Sequence, residues 1–173
     1  RKDVKSIFPL KSEFEISESY SEFWATFLNT TFMSTFLSKN ETEFLVNWEV
    51  MIYIETLFSM FQVVKILDFL EIIEYENLFK PNTYRQRTHV FEYYIIKLIF
   101  LMNYNSFFKL CYDNNSEIIC FKKTPKMLEE IFKFIKNNYK SDKLIKNLKW
   151  MGKYYNENKG SELSKTMRMS IFS

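Results

Sequence analysis

The chain has 173 residues, enough for one domain with a sizeable core, and 19% of them are aromatic. Two glycines and three prolines are too few for the turns of an all-β sandwich or the tight βα loops of a doubly wound fold, so the composition predicts a mainly α-helical protein. The net charge of +3 is unevenly divided: residues 1–121 carry 11 Lys and Arg against 16 Asp and Glu, whereas residues 122–173 carry 13 against 5, so a basic end follows an acidic body.

The first part of the chain predicts a surface arm and then a helix. Residues 1–17 are polar and interrupted by Pro9, and the start at Arg1 instead of Met indicates an excised or processed domain without a signal peptide. Ser19 and the glutamate three residues later form a capping-box pattern, from which we expect a helix to about Ser38. Six apolar residues of this helix share one broad stripe that is expected to face the core: Tyr20, Phe23, Trp24, Phe27, Leu28 and Phe32.

The segment from about 41 to 79 is the predicted centre of the fold. Asn40 and Glu43 have the spacing of a helix cap, and the apolar residues that follow occupy every face, which is typical of a buried helix. We therefore expect residues 44–73 to form the core, with a bend or break near 62–68 where the polar positions drift around the axis. Membrane insertion is not expected, because each central charge costs roughly 2.5–3.5 kcal/mol. Five polar residues interrupt the run: Glu55, Gln62, Lys65, Asp68 and Glu71.

Two further elements are predicted between residues 80 and 121. The pair Lys80-Pro81 ends the central segment, since the residue before a proline avoids helical backbone. A helix is expected next, from Tyr84 to about Asn103. The segment 107–121 is interpreted as a short β-hairpin, because apolar stretches flank the turn-forming residues 113–116.

The basic end predicts two helices and a tail. Thr124-Pro125 combines a capping hydroxyl with a proline at the first helical position, and Ser141 caps the next helix. Both helices have an apolar face and a lysine face. Residues 18–160 are thus expected to form a single helical domain, and the tail 161–173 to be loosely ordered. The tail contains four apolar residues with the capacity to dock: Met167, Met169, Ile171 and Phe172.

No catalytic or metal-binding motif is present in the sequence. Cys111 and Cys120 lack CxxC spacing and a nearby histidine, so a structural zinc site is not expected. A catalytic triad would have to use the single histidine, His89, which is interpreted as structural. The thiols are expected to be reduced, because the sequence shows no secretory features and the hairpin register does not pair them directly. The acidic run 71–76 is interpreted as the solvated rim of a helix end. We therefore expect no metal, no cofactor and no small-molecule substrate, and a protein that is not an enzyme.

These features favour a non-catalytic helical interaction or scaffold domain of a larger intracellular protein, nuclear or cytoplasmic, that assembles with protein partners. The alternative is a nucleic-acid-binding domain that uses the basic residues 122–159, and an enzyme with an unrecognised site is a third interpretation. Trp150 falls within the lysine face of the last helix. In either binding role, the contacts are predicted for one set of residues: Lys133, Lys136, Lys140, Lys143, Lys146, Lys149, Trp150 and Lys153.

Overall fold

The structure is a computed structural model that describes residues 15–80 and 91–172. Seven α-helices lie in this part of the chain: α1 Ile16–Leu37, α2 Glu41–Phe69, α3 Lys97–Met102, α4 Tyr104–Asn114, α5 Pro125–Asn138, α6 Asp142–Glu157 and α7 Glu162–Lys165. A 3₁₀ helix, Tyr75–Phe79, follows α2, and a π-helical turn, Phe91–Ile96, leads into α3. The prediction of a mainly α-helical protein is confirmed.

Helix α2 is the longest helix and the one on which α1, α3 and α6 pack. Its start is the predicted one, because the Asn40 side chain accepts a hydrogen bond from the Glu43 amide at 2.9 Å and the Glu43 carboxylate accepts one from the Lys39 amide at 2.9 Å. Helices α1, α3 and α6 all contact α2. Of the predicted bend or break near 62–68, the break is wrong, because α2 is continuous to Phe69. Lys65, one of the polar residues that suggested it, lies on the buried side and donates hydrogen bonds to a distant segment.

Burial along α2 is uneven. Every residue from 58 to 67 is buried, whereas Leu45, Val46 and Val50 in the first turns are each more than half exposed. The expected core at residues 44–73 is therefore found mainly in the second half of α2, to which the first half adds Met51, Ile52 and Glu55. By length and composition α2 also qualifies as a membrane span, and 72% of its apolar window is buried inside the fold. A core helix passes the same criterion, so the absence of membrane insertion stays a prediction.

Aromatic rings from α1, α3 and α4 fill one end of the core. Phe23 lies 4.8 Å from Phe107 between ring centroids, and Phe107 stacks on Phe100 at 4.0 Å. Of the predicted α1 stripe, Tyr20, Phe23, Trp24 and Phe27 are buried; Leu28 and Phe32 are exposed.

Helix α1 also begins earlier than predicted. Its N-cap is Glu15 and Ser19 lies buried one turn inside, so the capping box at Ser19 is wrong. Most of the N-terminal segment 1–17, which was predicted to lie on the surface, falls outside the described residues. The same is true of His89 and of the first part of the helix predicted from Tyr84.

The β-hairpin predicted at 107–121 is wrong, because residues 107–114 belong to α4 and no strand occurs in 15–80 or 91–172. Phe107 and Cys111 are one helical turn apart and both fully buried, while Lys109 between them is exposed. A helix produces this pattern, whereas a strand would place all three residues on one face. The turn-forming residues instead end the helix: the Asn115 amide donates to the Cys111 carbonyl at 3.0 Å, and the Asn114 side chain donates to the Leu110 carbonyl at 2.9 Å. Cys111 and Cys120 are free, as predicted.

The two basic helices begin where predicted. Thr124 Oγ1 accepts a hydrogen bond from the Met127 amide at 3.2 Å, and Ser141 Oγ accepts one from the Leu144 amide at 3.3 Å. Helix α5 packs on α4, whereas α6 packs on α2. The tail is more ordered than expected, since it contains α7 and buries Ser170.

Leu67 and Leu57 provide a test of where the core lies along α2. Leu67 is 6% exposed, so Leu67→Ala is expected to lower the free energy of unfolding by about 2–5 kcal/mol. Leu57 is half-buried at the edge of the core, so Leu57→Ala should cost less than about 2 kcal/mol. Urea denaturation of both variants measures the two losses. Equal losses, or a larger loss for Leu57, would contradict the burial gradient.

Candidate interaction surfaces

The predicted lysine stripe lies on the outer side of α6. Leu144, Leu148, Met151 and Tyr155 pack inward, which leaves the opposite side of this helix to solvent. All of the lysines predicted for the site are exposed: Lys133, Lys136, Lys140, Lys143, Lys146, Lys149 and Lys153. Trp150 is 57% exposed and lies nearly parallel to the ring of Tyr154, with an interplanar angle of 14° and 6.2 Å between centroids. The stripe therefore presents an aromatic pair as well as positive charge.

Acidic neighbours reduce the positive charge of the stripe. Lys149 Nζ lies 3.4 Å from a carboxylate oxygen of Glu76. Lys133 Nζ lies 2.9 Å from Glu130 and 3.1 Å from Glu129, and hydrogen bonds to these two carboxylates raise the pKa of Lys133. Within the described ranges, ion pairs of 4.0 Å or less are absent for Lys136, Lys140, Lys143, Lys146 and Lys153.

The two groups of lysines belong to helices with different neighbours. Only residues 139–141 separate α5 from α6, but α5 packs on α4 and α6 on α2. Lys140, in the connection, places its ammonium group 4.8 Å from the ring centroid of Phe79. Lys149 and Lys153 line a common groove, while Lys133 stays with its acidic partners on α5. The positive charge is thus divided between separate sites on the two helices.

The groove beside the stripe has a volume of about 560 Å³ and lies between the end of α2, residues 72–76 and α6. Its walls carry both signs of charge, because Asp68, Glu74 and Glu76 face the same space as Lys149 and Lys153. Tyr155 donates a hydrogen bond to Asp68 at 3.2 Å and Lys159 donates one at 2.7 Å. In the described residues, no cluster of three or more His, Cys, Asp or Glu is placed to hold a metal ion.

A second surface, which we did not predict, is formed by the α1–α2 arm, defined as residues 28–53: the end of α1, the turn and the start of α2. Phe36 is 85% exposed and Tyr53 is 64% exposed. Nine large apolar residues of the arm are accessible: Leu28, Phe32, Met33, Phe36 and Leu37 on α1, and Leu45, Val46, Val50 and Tyr53 on α2. At ~150–250 Å² for a fully exposed aromatic side chain and somewhat less for an aliphatic one, these residues expose on the order of 1,000 Å².

Polar groups, in contrast, lie between the two helices of the arm. Ser34 is fully buried and its hydroxyl donates to the Met51 sulfur at 3.2 Å. The Trp48 indole donates to the Thr31 hydroxyl at 3.1 Å, and the Asn47 amide donates to Ser38 Oγ at 2.9 Å. Small hydroxyl residues let the helices approach closely, while the phenylalanines are left outside. Hydroxyl and amide groups thus lie between the helices beside Trp48 and Met51, while the phenylalanines lie outside, which is an unusual distribution for a helical hairpin in water.

The sequence carried a signal for this arrangement. Thr30, Ser34 and Ser38 recur every four residues, so they share one side of α1. At 100° per residue, Phe32 and Phe36 fall on the opposite side. With the row of hydroxyl residues taken into account, the pattern predicts that α1 pairs with another helix through Thr30, Ser34 and Ser38. Our prediction considered only the apolar stripe on the other side, and it therefore expected Phe32 to be buried.

Comparison with known proteins identifies no relative of this chain: no family model matches it, and neither a curated protein nor a solved structure does.

Proposed function

We propose that this domain is a non-catalytic interaction module whose α1–α2 arm packs against apolar helices of a partner protein. The observation that carries the proposal is the placement of hydroxyl groups between the helices of the arm and of phenylalanines on its outside. Apolar surface in water is unfavourable, and the roughly 1,000 Å² on the arm, divided between its two helices, leaves on each an area comparable to the ~300–600 Å² of the largest, often functional, patch on a typical monomer. Together the two faces expose an area close to the roughly 800 Å² that each partner contributes to a standard interface.

The geometry of the arm favours two contacts with its surroundings instead of one. The α2-facing side of α1 is marked by Thr31 and Ser34, and its exposed apolar residues lie between a quarter and half a turn away, with Phe36 nearly opposite. The same holds for α2, where Asn47 and Met51 face α1 while Val46 and Tyr53 are exposed. The two apolar faces thus lie on opposite sides of the arm, which suits insertion between partner helices.

Charge on the arm favours a protein environment over lipid. Glu49 is exposed within the apolar face of α2, between Leu45 and Tyr53, and a carboxylate in the bilayer costs roughly 2.5–3.5 kcal/mol. A protein partner removes this cost by placing a lysine or arginine opposite Glu49. Residues 23–38, by contrast, contain no charge. We therefore expect the partner to be apolar opposite α1 and to carry at least one basic residue opposite α2.

The two free thiols support an intracellular location for this assembly, nuclear or cytoplasmic, since exposed cysteines such as Cys120 persist in reducing compartments.

Site-specific photo-crosslinking in cells tests the proposed role of the arm. We expect benzoylphenylalanine at Phe36 and at Tyr53 to cross-link to one and the same protein, because both faces of the arm contact it. Tyr112 on α4 is 75% exposed and serves as the matched control, from which no such product should form. The double variant Phe36→Gln/Tyr53→Gln should lose complex formation at least about tenfold with an unchanged melting temperature, since these side chains are exposed. Equal cross-linking from Tyr112, or cross-linking to lipid alone, refutes the proposal.

A second candidate function, nucleic-acid binding, is favoured by one observation: Trp150 and Tyr154 are exposed and stacked beside Lys143, Lys146 and Lys153, which lack an ion pair within the described ranges. Exposed aromatic rings beside lysines are typical of single-strand binding surfaces. The acidic walls of the neighbouring groove argue against it, since they repel phosphate.

This second function is tested with labelled random single-stranded oligonucleotides. If the stripe binds them, Lys143→Glu/Lys146→Glu/Lys153→Glu should weaken binding at least about a hundredfold at low salt, and the logarithm of the affinity should fall linearly with the logarithm of the salt concentration. Lys133→Glu is the control, because this lysine is already paired with two carboxylates. Unchanged binding in the triple variant, or no binding by the wild type, eliminates this function.

A further inference from the structure

Three charged residues are buried where α2 and α3 meet the end of the chain. Glu55 is fully buried, Lys97 is 1% exposed and Lys65 is 8% exposed. Within the described residues none of the three has an ion-pair partner within 4.0 Å, although Glu55 and Lys97 are close enough to interact electrostatically. Burial lowers the pKa of Lys97 to about 8. Such charges are costly to bury unless other groups hydrogen-bond to them.

Residues 163–171 supply those hydrogen bonds. Lys65 Nζ donates to the carbonyl oxygens of Leu163 at 3.1 Å and Thr166 at 2.6 Å. Lys97 Nζ donates to the carbonyl oxygen of Met169, and also to Thr26 on α1 at 3.2 Å. All of these contacts with 163–171 are to the main chain, so the two lysines recognise the backbone of the segment.

Glu55 recognises the segment in a more selective way. Its Oε1 accepts a hydrogen bond from the Ser170 hydroxyl and another from the Ile171 amide at 3.2 Å. Ser170 is itself buried, whereas residues 165–168 are exposed. The cleft thus forms hydrogen bonds to three carbonyl groups, one amide and one hydroxyl of residues 163–171. The middle of this segment, residues 165–168, stays at the surface.

The segment does not use all the polar groups that this side of α2 offers. Glu55 Oε2, Ser59 Oγ and both polar atoms of the Gln62 amide are buried without a hydrogen-bond partner. Residues 55, 59 and 62 lie within an arc of about 60° on α2, at 100° per residue. If residues 163–171 were held only to stabilise the fold, apolar residues would serve better. Compared with apolar residues, buried charges often add nothing to the free energy of unfolding or lower it. Recognition of a peptide explains why charges are present.

We propose that the cleft containing Glu55, Lys65 and Lys97 is a binding site for a peptide segment with a serine or threonine opposite Glu55, and that residues 163–171 are its exchangeable occupant. The connection permits exchange: Gly160 has φ +109° with no atom within 4 Å of where a Cβ would lie, and residues 158–161 are exposed or half-buried. The same segment of a second copy satisfies every contact, as does a partner peptide of this chemistry. The site is distinct from the α1–α2 arm and does not depend on it.

The exchange is tested by placing a protease recognition sequence after Gly160 and cutting the folded protein. A fluorescein-labelled peptide spanning residues 162–173 should then bind saturably, measured by fluorescence anisotropy, and displace the cut segment. The Ser170→Ala peptide should bind at least about tenfold more weakly, because it loses a hydrogen bond to a carboxylate. A Met167→Ala peptide is the control, since Met167 is exposed. Failure of the labelled peptide to exchange within hours, or equal binding by the Ser170→Ala peptide, overturns the proposal.

A second measurement uses the uncut chain. Ser170→Asp places a carboxylate against Glu55, so the segment should leave the cleft while the helices remain folded. Tryptic cleavage after Lys165 and Arg168 should then accelerate at least about tenfold with an unchanged circular dichroism spectrum, and Met167→Asp should have little effect. An unchanged cleavage rate, or global unfolding of Ser170→Asp, shows that the segment is a fixed part of the core and contradicts exchange.

Discussion

The length of α2 is the constraint on which the rest of the structure depends. A helix of 29 residues is about 43 Å long, and only its second half is covered on all sides by other helices. Helices α3 and α6 pack against it there, and the aromatic rings of α1, α3 and α4 close the core. The first turns of α2 have α1 as their main neighbour. The α1–α2 arm with its exposed phenylalanines is the direct consequence.

Two features of this chain depart from the ordinary distribution of polar and apolar groups. In the arm, Ser34 is buried while Phe36 is exposed. In the cleft, Glu55, Lys65 and Lys97 occupy positions in which an apolar residue is the usual choice. Neither arrangement benefits the isolated domain, because exposed apolar area and buried charge both raise its free energy. Both arrangements are explained if a partner protein covers the arm and a peptide segment fills the cleft.

Helix class and local caps could be predicted from the sequence, because they depend on neighbouring residues. Asn40, Thr124 and Ser141 were recognisable as caps, since each acts on an amide three residues away. The hairpin at 107–121 could not be ruled out in this way, because short apolar stretches suit a strand and a buried helix equally well.

The candidate sites were predicted less well than the helices, for a physical reason. Exposure of the lysines and of Trp150 followed from helical periodicity, but the Lys149–Glu76 ion pair joins residues far apart in the chain. The partners of Lys65 lie 98 and 101 residues away, so its burial left no local signal. An all-round apolar pattern also cannot distinguish a helix covered by its own fold from one covered by another protein. That ambiguity hid the α1–α2 arm.

Hydrogen exchange of the isolated domain, read residue by residue along α2, is the most direct test that this helix is half core and half arm. Amides of residues 60–67 should open only with global unfolding. Those of residues 44–50 should exchange at least about a hundredfold faster, because α1 is the main helix that covers them. Protection that is uniform along the whole of α2 would show that residues 44–50 belong to the core, and the account of the arm as an interaction surface would then be contradicted.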